Sequence, residues 1–145
     1  MPNAMDVARY ILATQGGIPG ERITNLKLQK LLYYSQGYQL ALNGRALFPE
    51  EIRAWGHGPV VPDVWRYYRS NRANPLPKPA RAPEGIAADE REVIDSVMQS
   101  YGQYTAWRLR ELTHQESPWV DAYNRGGGHS AISLDTMQAF FRAKL

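Results

Sequence analysis

The sequence predicts a mainly α-helical fold: a single compact domain over residues 1–145, with about six or seven helices and a short extended segment near residues 51–56. Three observations predict it. Apolar residues recur at helical spacing in successive stretches, residues of helix-capping type stand at the ends of those stretches, and only one short piece alternates as a strand does. A chain of 145 residues is long enough to bury about two-thirds of its unfolded surface in one core and leaves little room for a second domain. There is no fixed-period repeat and no heptad run, which removes solenoid and coiled-coil architectures.

The first helix is read over residues 5–15 from Val7, Tyr10, Ile11 and Thr14, with Gly16-Gly17 stopping it. The second is longer. From Thr24 as N-cap, Leu28, Leu31, Leu32, Ser35, Tyr38 and Leu42 recur on one face and Gly44 stands at the C-terminal cap. After Phe48-Pro49, Ile52 and Ala54 alternate with Arg53 and Trp55, as in a strand, and Gly56-His57-Gly58-Pro59 reads as a turn.

Pro62 suits the first turn of a third helix ending near Ser70. Val61, Val64, Trp65 and Tyr68 mark its apolar face, and Arg66, Arg69 and Arg72 form a row on another. Residues 73–87 hold four of the ten prolines and read as an extended connection over the surface. Asp89 with Glu92 resembles a capping box for a helix carrying Val93, Ile94, Val97 and Tyr101, and Thr105 caps another through Leu112. Ser117-Pro118 opens a short helix to Tyr123, followed by an Asn124–Gly128 loop. Ser133 starts the last helix, with Leu134, Met137, Phe140 and Phe141 inward.

Composition narrows the function. With no cysteine, disulfides, thiolate zinc sites and cysteine nucleophiles are excluded together. No apolar run approaches the roughly 20 residues needed to cross a bilayer, and the N-terminal stretch lacks a basic leader, so a cytoplasmic location is expected. Net charge is only +3, but thirteen of the seventeen basic residues are Arg, a residue favoured at protein interfaces and in phosphate recognition. That preference alone does not choose between the two uses.

No constellation supports catalysis. His57, His114 and His129 form no HExxH or HxxxH pair, so no metal site is expected. No GxSxG elbow is present. The triple glycine at 126–128 lacks the following Lys-Ser or Lys-Thr of a phosphate-binding loop and reads as a mobile loop. No cofactor is expected, and the chain is read as not an enzyme. The four Trp and nine Tyr residues, combined with Arg, are the chemistry of interface hot spots, although most aromatics in so small a domain build the core. Trp65 and Trp119 fit the core best. Trp55, beside the Gly-rich turn, fits it less well.

Two stretches carry a resemblance: Leu28-Gln29-Lys30-Leu31-Leu32-Tyr33-Tyr34 and Ala54-Trp55-Gly56-His57-Gly58-Pro59-Val60-Val61. With Phe48, Leu112-Thr113-His114, Pro118-Trp119, Ile132-Ser133 and Phe140-Phe141, the chain resembles the Panacea domain antitoxins over nearly its whole length. That family was long described only as phage-associated and includes SocA-like, proteolysis-promoting antitoxins. The resemblance implies an antitoxin that binds a cognate toxin protein, encoded by an adjacent gene, and blocks it. It also implies one fold serving toxins of unrelated kinds, so the sequence does not identify the partner. Some relatives carry a further DNA-binding segment, and with no length to spare for one, operator binding by this chain alone is not expected.

The residues expected to face the partner are Trp55, His57, Gly58, Pro59, Arg66 and Arg69, with Gly58 and Pro59 also expected to serve the turn itself. Residues 73–87 and 126–128 are the loops expected to carry partner-specific contacts. Two alternatives stay open. One is a proteolysis adaptor that delivers the toxin to an ATP-dependent protease. The other is a nucleic-acid-binding regulator using the Arg66, Arg69, Arg72 face, where phosphate contact would bring steep salt dependence.

Overall fold

A computed structural model describes residues 1–15 and 22–145 of the chain. Among these residues there are seven α-helices and one small antiparallel sheet, so the mainly helical class expected from the sequence is observed. The order is α1 (Ala4–Thr14), α2 (Asn25–Asn43), β1 (Arg53–Trp55), β2 (Gly58–Val60) and α3 (Pro62–Tyr68), which runs into a 3₁₀ turn at Arg69–Asn71. Then come α4 (Ala88–Tyr101), α5 (Ala106–Thr113), α6 (Ser117–Gly126) and α7 (Leu134–Arg142). The stop expected at Gly16-Gly17 lies outside the described residues.

Helix α2 is the axis of the fold. Thr24 caps its first turn by accepting from the Lys27 N–H, and Gly44, at φ 72°, ends it by donating to the Leu40 carbonyl. Both ends are where Ser/Thr N-caps and left-handed Gly caps belong. It packs against α1, α3, α4, α5, α7 and β2, so its surface is covered on nearly every side. Leu28, Leu31 and Leu32 are fully buried, as their spacing predicts, but so are Gln29, Lys30, Ser35, Gln36 and Gln39. Leu42, counted on the apolar face, is instead exposed, in the last turn of α2.

A helix buried all round turns its polar side chains inside the protein, and several of them tie down distant segments. Asn25 and Gln29 hydrogen-bond to one another; Asn25 Nδ2 also donates to the Trp65 carbonyl, while Gln29 Oε1 accepts from the Val61 N–H. Gln36 holds the loop after α2 from both directions, accepting from Leu47 N–H and donating to Phe48 O. The Tyr33 and Tyr34 hydroxyls donate to the two oxygens of buried Glu116, each at 2.9 Å. Phe141 of α7 packs edge-on against both tyrosine rings and lies so close to Gly37 that no larger residue fits there.

Several boundaries differ from the sequence reading. Helix α4 starts before Asp89: Ala87 is its N-cap, and Glu90 bonds back to the Ala87 N–H. Helix α6 is capped at Glu116 rather than Ser117 and continues to Gly126, past the expected end at Tyr123, because α6 packs on β1 and α7. Ser133 does cap α7, but Leu134 is about half exposed and Phe140 only partly buried, leaving Met137 and Phe141 to fill the core. The connection at 73–87 has no regular structure and is anchored by buried Leu76 and Ile86; the Leu76 N–H bonds to Ile23 O at 2.8 Å.

Candidate partner-binding surface

The sheet is a hairpin tighter than the sequence suggested. Trp55 pairs with Gly58, Ala54 with Pro59 and Arg53 with Val60, so only Gly56 and His57 form the turn, and Gly58 and Pro59 belong to β2. The other edge of β1 is covered by the segment before α7: Ala54 N–H donates to Ser130 O and Ile132 N–H to Ile52 O, both at 2.8 Å. Side chains at this turn therefore stand on a braced support rather than on a free loop.

Four rings meet there. Trp55 lies 5.8 Å from His57, 6.1 Å from Trp65 and 6.3 Å from His129, and His57 lies 5.0 Å from Trp65. Trp55 and Trp65 are half-buried; the core position expected for Trp65 is not what it occupies. A second stack adjoins the first, in which Trp119 lies between His114 at 4.1 Å and Tyr123 at 4.7 Å. Trp119 Nε1 donates to the Trp55 carbonyl and so joins the two stacks. Trp119, also expected in the core, packs against its edge.

Beneath the turn lies Lys30, completely buried, with its Nζ donating to Pro59 O at 3.0 Å. Burial, and then the nearby Arg110 guanidinium, push its ammonium down to about 7. His57 is lowered to about 4, first by burial and then by the charge of Lys30. His114 is lowered by burial and by Arg110. Trp55 Nε1, His57 Nδ1 and His114 Nε2 have no hydrogen-bond partner although each atom is sealed from solvent.

Beside the rings opens a groove of about 540 Å³ whose lining includes Glu51, Arg53, Trp55, Asp63, Arg66 and His129. Four of its charges form two pairs, Arg53 with Glu51 at 2.9 Å and Arg66 with Asp63 at 2.7 Å. Of the six residues expected to face a partner, Trp55 and Arg66 line this groove and His57 stands on the Trp55 ring. Gly58 and Pro59 are buried beneath. Arg69 is exposed but lies in the 3₁₀ turn, away from the groove lining.

The expected row of Arg66, Arg69 and Arg72 is not continuous. Helix α3 ends at Tyr68, and Arg72 adopts a positive φ of 54° after the 3₁₀ turn, which swings it off the helical spacing. The Gly127-Gly128 end of the triple glycine runs beside the hairpin, with Gly128 close to Gly56 and Tyr123, while the 73–87 connection is pinned to Ile23 instead. Sequence reasoning missed His129 as a neighbour of Trp55 and Lys30, Arg110 and His114 as groups acting on His57. The one signal it offered was a lysine set among apolar residues of α2. No group of three or more His, Asp or Glu residues among the described residues is placed to hold a metal ion. No described helix is long and apolar enough to cross a membrane.

Comparison with known proteins adds the relationship. The family model described as antitoxin SocA-like, Panacea domain, matches residues 28–120, from α2 to α6. The chain is similar to antitoxin SocA of Caulobacter vibrioides strain NA1000 / CB15N, at 30% identity over 124 residues, covering 77% of this chain and 66% of that protein. The chain thus spans just under two-thirds of that relative's length. No solved structure matches.

Proposed function

The chain belongs to the SocA-like Panacea domain family of antitoxins, and from that premise we propose that it neutralises a toxin protein by binding it directly, through the surface around the β1–β2 hairpin. The observation that carries the reading is the half-buried Trp55, held among Trp65, His57 and His129 at the mouth of the groove. Large aromatic side chains on a rigid support lose little entropy when a partner covers them, which is why Trp, Tyr and Arg dominate binding energetics at interfaces.

A nucleic-acid role has less support. The Arg row is broken, and Arg66 is engaged by Asp63, so this row offers no continuous track to a phosphate backbone. The groove is instead of mixed charge, as suits a protein surface.

The test is co-expression with the product of the neighbouring gene, scoring growth and co-purification in the same cells. Growth rescue with a stoichiometric complex supports direct neutralisation. Rescue without a complex would replace it with delivery of the toxin to an ATP-dependent protease, and failure of every neighbouring product to bind would overturn it.

A further inference from the structure

Lys30, His57, Arg110 and His114 come from three elements, α2, the hairpin turn and the end of α5, yet they converge on one place. A Cβ at Gly58 would lie 3.0 Å from Lys30 Nζ and 3.1 Å from Thr113 Oγ1, so the lysine head, the hairpin and the end of α5 are in contact. The charges acting on Lys30, His57 and His114 are those of one another and of Arg110, all positive; no carboxylate is among them. The Arg110 guanidinium forms no ion pair among the described residues and lies 4.7 Å over the Trp107 ring. The nitrogens Trp55 Nε1, His57 Nδ1 and His114 Nε2 are left without partners around the same turn.

Buried polar nitrogens without partners are rare because each forfeits its hydration, and a group of bases with no counter-charge adds mutual repulsion. Both costs vanish if an anion is supplied from outside. We propose that the hairpin turn and α5 form a receiving site for a single carboxylate of the toxin, an Asp or Glu side chain or a chain terminus, which Arg110 and the Trp55 indole N–H bind, with the His57 and His114 rings taking up a proton from solvent to donate to it. The inference rests on the neutralisation reading and specifies the chemistry of its contact.

A carboxylate fits better than a phosphate. The planar guanidinium fork of Arg matches a carboxylate. The rings of Trp55, Trp65 and Trp119 pack about the turn, and in such surroundings a singly charged group is less costly to dehydrate than a doubly charged one. Its groups are also gathered about one turn rather than along a track on which a nucleic-acid strand would lie. The half-buried His57 and exposed Gly56 form its outer edge, and a Cβ at Gly56 would meet nothing within 4 Å, so the turn is open on that side.

The experiment uses the full chain labelled with nitrogen-15 and titrated with sodium acetate, sodium phosphate or sodium chloride at matched ionic strength. The Trp55 indole signal is identified by its loss in Trp55→Phe. Acetate is expected to shift the Trp55 indole and His57 and His114 ring signals saturably. Arg110→Gln should abolish the effect, and Arg108→Gln, an exposed change on the same helix, should not. Absence of saturation, equal shifts in Arg110→Gln, or a response to phosphate alone would overturn the carboxylate site.

Growth rescue by the same variants is read separately. Rescue weakened by at least about tenfold in Arg110→Gln, with an unchanged melting temperature, places the carboxylate on the toxin. Equal rescue by wild type and Arg110→Gln overturns this inference and leaves neutralisation standing. If neither rescues, the neutralisation reading fails and the toxin assignment with it, while the acetate titration decides whether the anion site exists.

Discussion

Lys30 occupies the space that a side chain at residue 58 would need: a Cβ on Gly58 would stand 2.6 Å from Lys30 Cε, and Gly58 has a φ of +116°, where only glycine is at ease. The two motifs of the sequence, one in α2 and one in the hairpin, are thus one piece of packing. Gly58→Ala should destabilise the protein by about 2 kcal/mol or more, through clash and backbone strain together. Adding Lys30→Ala should recover the clash and leave the strain. Urea denaturation of the two single variants and the double variant measures the coupling, and additive losses would mean that the residues act independently.

The depressed Lys30 predicts an unusual pH profile. Its folded value of about 7 lies below the ordinary 10.5, so between these the unfolded chain holds a proton that the folded chain does not. Stability should therefore climb as pH rises through that window, and the gain should be absent at and below pH 7. Tyrosines act in the opposite sense. Tyr10, pushed up to about 12 by burial and its bond to Asp95, keeps its proton when folded, so its contribution is lost as pH rises toward 12. The urea midpoint should rise from pH 7 to about 9 and turn down above about 10. Lys30→Met should remove the rise.

Glu116 is the buried acceptor for two hydroxyls, and burial raises its carboxyl above the ordinary 4.5 even though the bonds from Tyr33 and Tyr34 pull it down. Glu116→Gln keeps one acceptor oxygen and turns amide hydrogens toward the second hydroxyl, for an expected loss of about 1–3 kcal/mol at neutral pH. A raised carboxyl contributes stability that is full below about 4.5 and lost as pH rises through its folded value. The variant should remove that fall and leave the opposite rise that His57, lowered to about 4, contributes up to 6.5, so urea midpoints at pH 4, 5 and 6 should climb more steeply in the variant than in the wild type.

Trp55→Ala and His57→Ala separate surface from core. Both side chains are only partly buried, so each should weaken neutralisation by about tenfold or more while shifting the melting temperature by a few degrees. Leu31→Ala is the control for misfolding: a fully buried leucine whose truncation should cost about 2–5 kcal/mol whatever the partner. If the hairpin variants lose stability and neutralisation in parallel, Trp55 and His57 belong to the fold alone.

The helices were legible where capping chemistry is local. Thr24, Gly44, Thr105 and Ser133 each act as caps in the structure, because a cap depends on the neighbours in sequence and on little else. The start of α4 was misplaced because Asp89 and Glu92 have the spacing of a capping box, whereas the N-cap is Ala87, a residue type that gives no capping signal, held by the bond from its N–H to Glu90. At the hairpin, Gly56-His57-Gly58-Pro59 looked like one turn, since both glycines suit a turn; the pairing that makes Gly58 and Pro59 a strand comes from β1. The site was half legible. Trp55 and His57 announce themselves, whereas His114, Arg110 and His129 arrive from elsewhere in the chain and carry no mark of their meeting.

The buried polar ties of α2 also set the order in which the fold can close. Tyr33 meets Glu116 across 83 residues and Leu40 meets Gln138 across 98, so the axis of the protein finishes its contacts only with the last helices. On a ribosome, where domains fold as synthesis delivers them, α2 would emerge early and wait with Lys30 and both tyrosines incompletely covered until α5, α6 and α7 follow. A chain interrupted before Phe141 lacks the ring that closes over Tyr33, Tyr34 and Gly37. The arrival of α7 is then the event that turns an open polar helix into a sealed one.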